Sequence, residues 1–217
     1  MEKSGSDIIR KFLEAGIELS VENAGLMDEM IVFLQAYCQK VNLTAIRDRE
    51  GIIEKHLIDS VLPLTFMDLP GDSLCLDIGT GAGFPAVPMM ILRRDLEFTL
   101  LDAQRKRTDY LTQLVDRLGL KAEIIHGRAE ELGRQPRYKH RYDMVTARAV
   151  ADPVTLLGYA GPLLKKGGVF IAMRGSRDEM NDEVKRGVFK HGFKLLKEIR
   201  YNIPSGDGRR LIVFLKQ

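Results

Sequence analysis

From residue 74 onward, short apolar runs alternate with longer segments that have helical periodicity. The apolar runs are LCLDI (74–78), EFTLLD (97–102), AEIIH (122–126), YDMVTA (142–147) and VFIAMR (169–174). Between two of them, the segment 104–119 places its apolar residues on one helical face. Strand, helix and strand at this spacing form right-handed βαβ units. The sequence therefore predicts a doubly wound α/β fold, with a mostly parallel sheet covered by helices.

The two ends of the chain depart from this alternation. Near the carboxyl terminus, residues 193–202 and 210–216 are apolar runs joined by a loop rich in Pro, Gly and Asp. They predict a final hairpin, and hence an antiparallel last strand on a seven-stranded sheet. Before residue 70, three apolar series recur at helical spacing, and we expect the third to stop at Pro63 because proline interrupts helices.

Pro70 and Gly71 give the only boundary signal in the chain. We therefore expect a helical extension, residues 1–70, packed on a main domain, residues 71–217. A chain of 217 residues is long enough for one such domain and its appendage, but hardly for two independent catalytic domains. We expect one active site.

Composition limits the setting and the partners of this chain. No apolar run approaches the roughly 20 residues of a membrane span, and the start lacks a secretory signal, which favours the cytoplasm. Cys38 and Cys75 lack Cys or His neighbours at metal-ligand spacing, so we expect reduced core thiols and no metal. Residues 1–73 carry a net charge of −6 and residues 74–217 one of +9. The second part is where nucleic acid would bind, although an unevenly charged solvated surface is an equal alternative.

The strongest local signal is DIGTGAGFP, residues 77–85, directly after the first predicted strand. Glycines on alternate positions let the backbone turn sharply and approach a ligand at the carboxyl end of a strand. A dinucleotide fingerprint would need a small residue at position 84, where this chain has Phe84. The pattern is instead similar to motif I of S-adenosylmethionine methyltransferases, and NAD or NADP is the weaker interpretation. The predicted cofactor-binding residues of this loop are Asp77, Gly79, Gly81, Gly83 and Phe84.

Two later strand ends also suit a nucleoside. Asp102 ends the second predicted strand, where a carboxylate can accept hydrogen bonds from both ribose hydroxyls. A helix N-cap is an equal alternative for Asp102. Ala129 and Glu130 follow the third strand, where this class of fold places the adenine edge, but Glu130 could equally be an exposed loop acid. These residues support an adenosine pocket without choosing the ligand.

The methyl acceptor is narrowed by residue types that the chain lacks. Methyl transfer from a sulfonium is an in-line displacement, so the enzyme chiefly positions the acceptor lone pair. Carbon-5 of cytosine needs a cysteine nucleophile near the fourth or fifth strand, where this chain has Arg148. Methyltransferases that act on exocyclic amines typically carry an Asn/Asp-Pro-Pro-aromatic loop at this place. The segment TARAVADP (146–153) does not match that pattern. Guanine N7 carries a free lone pair and loses no proton, so it needs no general base.

Five segments carry a family resemblance. They are Asn42-Leu43-Thr44-Ala45-Ile46-Arg47, His56-x-x-Asp59-Ser60, Asp77 to Pro85 with Pro88, Leu101-Asp102-x-x-x-Lys106-Arg107, and Thr146-Ala147-Arg148-Ala149. Together they resemble the bacterial glucose-inhibited division protein B family, the guanine-N7 methyltransferases of 16S ribosomal RNA.

The resemblance implies the class I methyltransferase fold, S-adenosylmethionine as cofactor and direct transfer without a covalent enzyme intermediate. It implies cofactor contacts at Gly79, Phe84, Ala129, Glu130 and Arg148, with Asp102 as ribose partner. Arg148 is the best candidate for positioning the acceptor, and the catalytic residue is otherwise unknown. The implied partner is 16S ribosomal RNA, in the 30S subunit or an assembly intermediate, and a monomer is favoured.

RNA contacts are expected from three basic clusters, although each could instead be a solvated face. The clusters are Arg105, Lys106 and Arg107; Arg137, Tyr138, Lys139 and Arg141; and Arg209 and Arg210. Tyr138 interleaved with cations suits base stacking, and the target guanine should lie in a loop or be extruded. His56 paired with Asp59 could orient substrate, but we expect a structural hydrogen bond between them and assign neither to catalysis.

Three alternatives stay open. The first is a methyltransferase that acts on another RNA, a small molecule or a protein, and the second is a nicotinamide dehydrogenase. The third is a non-catalytic RNA-binding protein that keeps the fold, against which the intact glycine loop, Asp102 and Arg148 argue.

Overall fold

A computed structural model describes residues 5–148, 151–175 and 182–217. Its strands are β1 (Leu74–Ile78), β2 (Glu97–Asp102), β3 (Ala122–His126), β4 (Tyr142–Arg148), β5 (Leu164–Gly175), β6 (Phe193–Asn202) and β7 (Gly208–Lys216). Within these residues they form one seven-stranded sheet in the order β3-β2-β1-β4-β5-β7-β6. Strands β1 to β5 pair in parallel, whereas β7 runs antiparallel to both β5 and β6. The predicted fold class, the final hairpin and the antiparallel last strand are confirmed.

Helices cover both faces of the sheet. They are α1 (Ser6–Glu14), α2 (Val21–Tyr37), α3 (Arg49–Ile52), a π-helical turn (Ile53–Ile58), α4 (Asp59–Phe66), α5 (Ala86–Leu92), α6 (Arg105–Arg117), α7 (Ala129–Leu132), α8 (Pro153–Ala160) and α9 (Asp182–Lys190). Successive strand residues point to opposite faces, so Cys75 joins one apolar core and Leu76 the other. Helices α1 to α6 contribute to the first core, and α7 to α9 to the second.

The amino-terminal helices share a core with the sheet. Buried residues of α1 and α2, such as Phe12 and Met30, belong to the same apolar cluster as Leu100 of β2. Arg49, at the start of α3, contacts Asp7 at 2.7 Å and Asp28 at 2.6 Å, which ties α1 and α2 to the following helix. The division of the chain at residue 70 stays a prediction.

The helical segment that contains Pro63 is longer than expected. Helix α3, the π-helical turn and α4 follow one another without interruption and end at Phe66, so the prediction of a stop at Pro63 is wrong. Proline lacks the N–H that an interior helical position would donate. Pro63 and Leu62 are both buried. Burial of their apolar surface favours the helix and offsets the missing hydrogen bond.

Within the described ranges, the helices are too short or too polar to cross a bilayer. The same ranges hold no group of three or more metal-ligating side chains. Cys38 and Cys75 are both buried free thiols, and burial raises the pKa of Cys75 to about 12.

Candidate active site

The glycine loop, residues 79–85, leaves the carboxyl end of β1. The amides of Gly79 and Thr80 donate to the Leu101 carbonyl of β2, at 2.8 and 3.1 Å. Gly79, Gly81 and Gly83 have φ angles of +70°, +59° and +96°, a region that residues with a Cβ rarely adopt. The loop therefore folds back over the end of β2 and brings its backbone to the carboxyl edge of the sheet, where open α/β sheets bind ligands.

Asp77 lies below this loop and is fully buried. One carboxylate oxygen, Oδ1, accepts a hydrogen bond from Thr146 Oγ1 at 2.8 Å. The other, Oδ2, has no hydrogen-bond partner among the residues that the structure describes. Burial raises the pKa of Asp77 to about 7. A buried acceptor without a donor is costly, so this oxygen suits a donor supplied by a ligand or by water.

Asp102 connects the glycine loop to the end of β2. Its Oδ2 accepts from the Gly81 amide at 2.9 Å, and its Oδ1 accepts from the Gln104 amide at 2.8 Å. Arg107 lies 3.5 Å from Oδ2. Gln104, and not Asp102, is the N-cap residue of α6. An ionised carboxylate has about four acceptor sites, so Asp102 keeps capacity for further donors.

Ala129 and Glu130 begin α7, immediately after β3. Ala129 is buried and Glu130 is half-buried. Both line one cavity together with Val154 and Tyr159 of α8. They therefore stand just after the carboxyl end of β3, and the cavity that they line runs along α7 and α8 as far as Pro162 and His191.

Arg148 ends β4 and reaches across to the π-helical turn. Its Nη1 donates to the Lys55 carbonyl at 3.2 Å and lies 3.4 Å from Asp59 Oδ2. Its Nη2 lies 3.2 Å from Nδ1 of His56. The guanidinium carbon stands 5.2 Å from the centroid of the Phe84 ring, and that ring stacks on His56 at 4.5 Å. Arg148 thus joins β4, the glycine loop and the amino-terminal helices.

Asp59 connects the Arg148 cluster to strands β6 and β7. It is buried, and its Oδ1 accepts from the Tyr201 hydroxyl at 2.9 Å and lies 3.6 Å from Arg209 Nε. The expected direct hydrogen bond between His56 and Asp59 is not among the described contacts, since both contact Arg148 instead. Tyr201 was not predicted as a site residue, because nothing in the sequence pattern of its strand, β6, marked it as one.

Two further residues of the site, Thr44 and Thr146, were also not predicted from the sequence. Thr44 bonds His56 Nε2 through its hydroxyl at 2.8 Å, and Thr146 bonds Asp77. Both belong to segments that carry the family resemblance, so their motif membership was the available signal. Ala149 of the same motif lies outside the described residues.

Part of the basic surface lies beside this site. Arg105 and Lys106 are exposed at the start of α6, and Arg107 is half-buried against Asp102. Arg209 lies near Asp59. Arg210 points to the opposite face, where it is 3% exposed and pairs with Glu198 at 2.8 Å. A guanidinium buried in this way is not accessible to RNA, so the expected phosphate contact of Arg210 does not agree with the structure.

The segment 137–141 lies at the opposite edge of the sheet, because it directly precedes β4. Arg137 donates to Glu123, near the start of β3, at 2.9 Å. Tyr138 is 6% exposed and donates its hydroxyl to the same carboxylate at 2.7 Å. The expectation that Tyr138 stacks on bases does not agree with this position, since its ring packs in the core. Lys139 is exposed and Arg141 half-buried at the same edge.

The fold and the site define a class of protein. A sheet with one antiparallel strand next to its edge, a Gly-x-Gly-x-Gly loop after β1 and an acid that ends β2 define the class I S-adenosylmethionine-dependent methyltransferases. The chain is similar in fold to a methyltransferase from Pyrococcus furiosus, with a TM-score of 0.62 and 17% identity, covering 88% of this chain and 98% of that one. It is also similar to an S-adenosylmethionine-dependent methyltransferase from Aquifex aeolicus, with a TM-score of 0.60 and 16% identity, covering 83% and 98%.

Sequence comparison gives the family. The model of the GidB family, rRNA small subunit methyltransferase G, matches residues 24–212. A protein of that name from Lactococcus lactis subsp. lactis is 34% identical over 215 residues, covering 97% of this chain and 90% of the relative. Another from Acetivibrio thermocellus is 41% identical over 185 residues, covering 85% and 76%. The chain belongs to the GidB family, and the resemblance seen in its motifs is confirmed.

Proposed function

We propose that this chain transfers a methyl group from S-adenosylmethionine to N7 of a guanine in 16S ribosomal RNA, by direct in-line displacement. The observation that carries the proposal is the environment of Arg148, at the carboxyl end of β4. A positively charged positioning group stands there. Its described neighbours offer neither a cysteine nucleophile nor a free general base, because the Asp59 carboxylate is held by Arg148, Tyr201 and Arg209. Guanine N7 is the acceptor that needs neither.

His56 does not supply a base. Both of its ring nitrogens have close neighbours, and burial together with Arg148 lowers its pKa to about 3. A general base for chemistry near neutral pH would need a pKa closer to 7. Asp77 has a pKa of about 7, but it lies fully buried beneath the glycine loop. Neither group is placed to take a proton from an acceptor amine.

The residues of the carboxyl edge fit the cofactor. When bound, S-adenosylmethionine supplies an electrophilic methyl on a sulfonium. The unpartnered Oδ2 of Asp77 can accept from an ammonium group, directly or through water. Gly79, Gly81 and Gly83 allow close approach of the backbone, and Asp102 can accept from ribose hydroxyls. Ala129 and Glu130 border the space for the adenine.

Arg148 and Phe84 would orient the acceptor. Asp59 and the Lys55 carbonyl immobilise one end of the guanidinium, and Phe84 covers its plane. An Arg group held in this way keeps N–H donors for a guanine oxygen or for the cofactor, because it has five and the contacts with Lys55, Asp59 and His56 use three. Fixed donors position a substrate at small entropic cost.

RNA would approach the carboxyl edge of the sheet. Arg105, Lys106 and Arg209 lie beside the site, and we assign them the main phosphate contacts. The residues at the opposite edge could contact only a distant part of a large substrate; they are Arg137, Lys139 and Arg141. The proposed partner is 16S ribosomal RNA in the 30S subunit or an assembly intermediate. We further propose a cytoplasmic monomer in which residues 1–70 form a helical extension on the methyltransferase domain, residues 71–217.

The direct test is to incubate the protein with labelled S-adenosylmethionine and either naked 16S RNA or 30S particles, and then to map the label. Label on N7 of one guanine is the expected result. Label on exocyclic amines or pyrimidine carbons would contradict the assignment of the acceptor. RNA binding without transfer would indicate a non-catalytic protein, and uptake of NADH in preference to S-adenosylmethionine would indicate a dehydrogenase.

A further inference from the structure

We propose that His56 is a positioning residue, which fixes the Arg148 guanidinium through an unprotonated Nδ1 and is itself held by Thr44 through Nε2–H. The sequence suggested for His56 only a structural bond to Asp59, or a role together with Asp59 in orienting substrate, and no contact with Arg148. The inference rests on the proposed function, because it assigns Arg148 to the cofactor and acceptor. It concerns side chains from residues 44 to 59, which precede the methyltransferase core.

The tautomer follows from the donors around the ring. Arginine has only N–H donors, so its 3.2 Å contact with Nδ1 is a hydrogen bond only when Nδ1 carries a lone pair. The Lys55 carbonyl also lies 3.0 Å from Nδ1, and its second lone pair could accept an Nδ1–H beside the bond from Arg148 Nη1. We assign the proton of the neutral ring to Nε2, where the Thr44 hydroxyl oxygen accepts it at 2.8 Å, because only this tautomer makes the Arg148 contact a hydrogen bond.

The opposite tautomer would create a conflict at the same place. An N–H on Nδ1 could be accepted by the Lys55 carbonyl, but it would also face the Arg148 guanidinium, which is positively charged and has no acceptor. A doubly protonated ring would add a second cation beside Arg148. The low pKa of His56 agrees with this arrangement, since burial and Arg148 both disfavour the charged ring. Among the described residues, the other charged groups near this cluster are Asp59, Asp77 and Arg209.

The π-helical turn explains how one helix supplies these groups. Such turns are rare and occur mostly at functional sites, where they change the direction of side chains and carbonyls. Here the turn spans Ile53–Ile58 and contains both Lys55 and His56, with Asp59 directly after it. Arg148 therefore meets one carbonyl, one imidazole nitrogen and one carboxylate from a single continuous segment.

His56 also packs against Phe84, the aromatic residue of the glycine loop. Its ring is 9% exposed and stacks on Phe84 with an interplanar angle of 26°. A purely structural role in this stack would need only an aromatic ring. The hydrogen bonds at Nδ1 and Nε2 are additional, so variants can separate packing from positioning.

Three substitutions of His56 make this separation. In His56→Asn the amide oxygen can take the place of Nδ1, so the acceptor for Arg148 is kept. In His56→Gln the amide reaches the Nε2 position and keeps only the Thr44 contact. In His56→Phe the ring stack remains and both hydrogen bonds are lost. Thr44→Val removes the acceptor for Nε2–H, and Thr65→Val, on an exposed helical threonine of α4, serves as the matched control.

The expected readout is affinity for S-adenosylhomocysteine by calorimetry, with kcat and KM for methyl transfer and the melting temperature of each variant. His56→Phe and His56→Gln should lose about tenfold or more in affinity or in kcat, because a hydrogen bond to a charged group is removed. His56→Asn should stay within about threefold of wild type, Thr44→Val should fall between them, and Thr65→Val should match wild type. Full activity of folded His56→Phe, or equal losses in the Asn and Gln variants, would overturn the proposal.

Nitrogen-15 NMR of the histidine rings supplies a readout that does not depend on activity. We expect the His56 signals of an unprotonated Nδ1 and a protonated Nε2, and loss of the slow exchange of that Nε2 proton in Thr44→Val. A protonated Nδ1 would refute the assigned tautomer. Since the NMR experiment uses the protein without cofactor, its result stands even where the methyl-transfer assay fails, which keeps the two proposals distinguishable.

Discussion

The guanidinium of Arg148 lies over the ring of Phe84, with its carbon atom 5.2 Å from the ring centroid. Phe84 occupies the position that separates this glycine loop from the dinucleotide fingerprint, and Arg148 ends the neighbouring strand β4. The contact therefore links the residue at which the loop departs from the dinucleotide fingerprint to the residue that we assign to the acceptor. His56 stacks on the same Phe84 ring and contacts Arg148 directly.

Replacing Arg148 by lysine tests the geometry of this cluster. Lysine keeps the charge but loses the planar fork that reaches Lys55, His56 and Asp59 together. We expect Arg148→Lys to fold normally and to lose about 10- to 100-fold in affinity for S-adenosylhomocysteine, which corresponds to one or two charged hydrogen bonds. Calorimetry measures the loss. Arg200→Lys, at an arginine with a side chain 75% exposed, is the control, and an unchanged affinity in Arg148→Lys would remove Arg148 from the cofactor site.

The glycine loop makes a prediction about stability. In Gly83→Ala the new Cβ would lie 3.0 Å from Val87 Cγ2 and 3.3 Å from Met30 Cε, at a φ of +96°. We expect the free energy of unfolding to fall by about 1–3 kcal/mol in urea titrations. Gly25→Ala, within α2 and with no atom inside 4 Å of the new Cβ, should instead gain about 0.5–1 kcal/mol. Equal effects of the two substitutions would contradict the assigned loop conformation.

Asp77 predicts a pH dependence of stability. Its pKa is about 7 in the folded protein and near 3.9 in an unfolded chain, so the folded state binds the proton more tightly. This contribution stabilises the protein fully below about pH 4 and is lost as the pH rises to about 7. The unfolding free energy of Asp77→Asn lacks this term. Relative to wild type, the variant should therefore gain at least about 1.4 kcal/mol between pH 4.5 and pH 7.5, the equivalent of one pKa unit.

The histidine at position 56 acts with the opposite sign in the same range. Its folded pKa, about 3, lies below the ordinary value near 6.5, so its contribution to stability grows as the pH rises from 3 to 6.5. Comparing wild type with Asp77→Asn cancels this term, because both proteins contain His56. A pH-independent difference between the two would show that Asp77 is not the group that titrates.

The two sheet edges predict different effects on RNA binding. Reversing charge with Arg105→Glu and Lys106→Glu should weaken binding of 30S particles or 16S RNA by about tenfold or more and reduce the salt dependence of binding. The paired changes Arg137→Glu and Lys139→Glu, at the opposite edge, should change affinity less than about threefold. Filter binding at several salt concentrations measures both. A larger effect of the second pair would place the RNA at the amino edge.

Much of the fold was predictable because its signals are local. The apolar runs that became β1, β2 and β3 match the observed strands residue for residue, since a buried parallel strand needs a short apolar run and little else. Pro63 is the exception. Its effect on the helix depended on burial by distant residues, which no local pattern contains.

The candidate site was predictable only in part. Glycines at 79, 81 and 83 have left-handed φ angles, which a sequence can announce because few other residues tolerate them. The basic clusters were less informative, since composition does not say which edge of the sheet a loop reaches. Arg137 and Lys139 lie opposite the site for that reason, and Tyr138 and Arg210 are buried.

The sequence by itself determined the order of strands and helices, the glycine loop and the family, because these depend on periodicity and on backbone demands within short segments. Only the tertiary structure decided that Lys55, His56 and Asp59 meet Arg148. Their contacts span 89 to 93 positions in the chain, and they need the π-helical turn to lie against the carboxyl edge of β4. Such a meeting depends on how helices pack on the sheet, and packing is a property of the whole core.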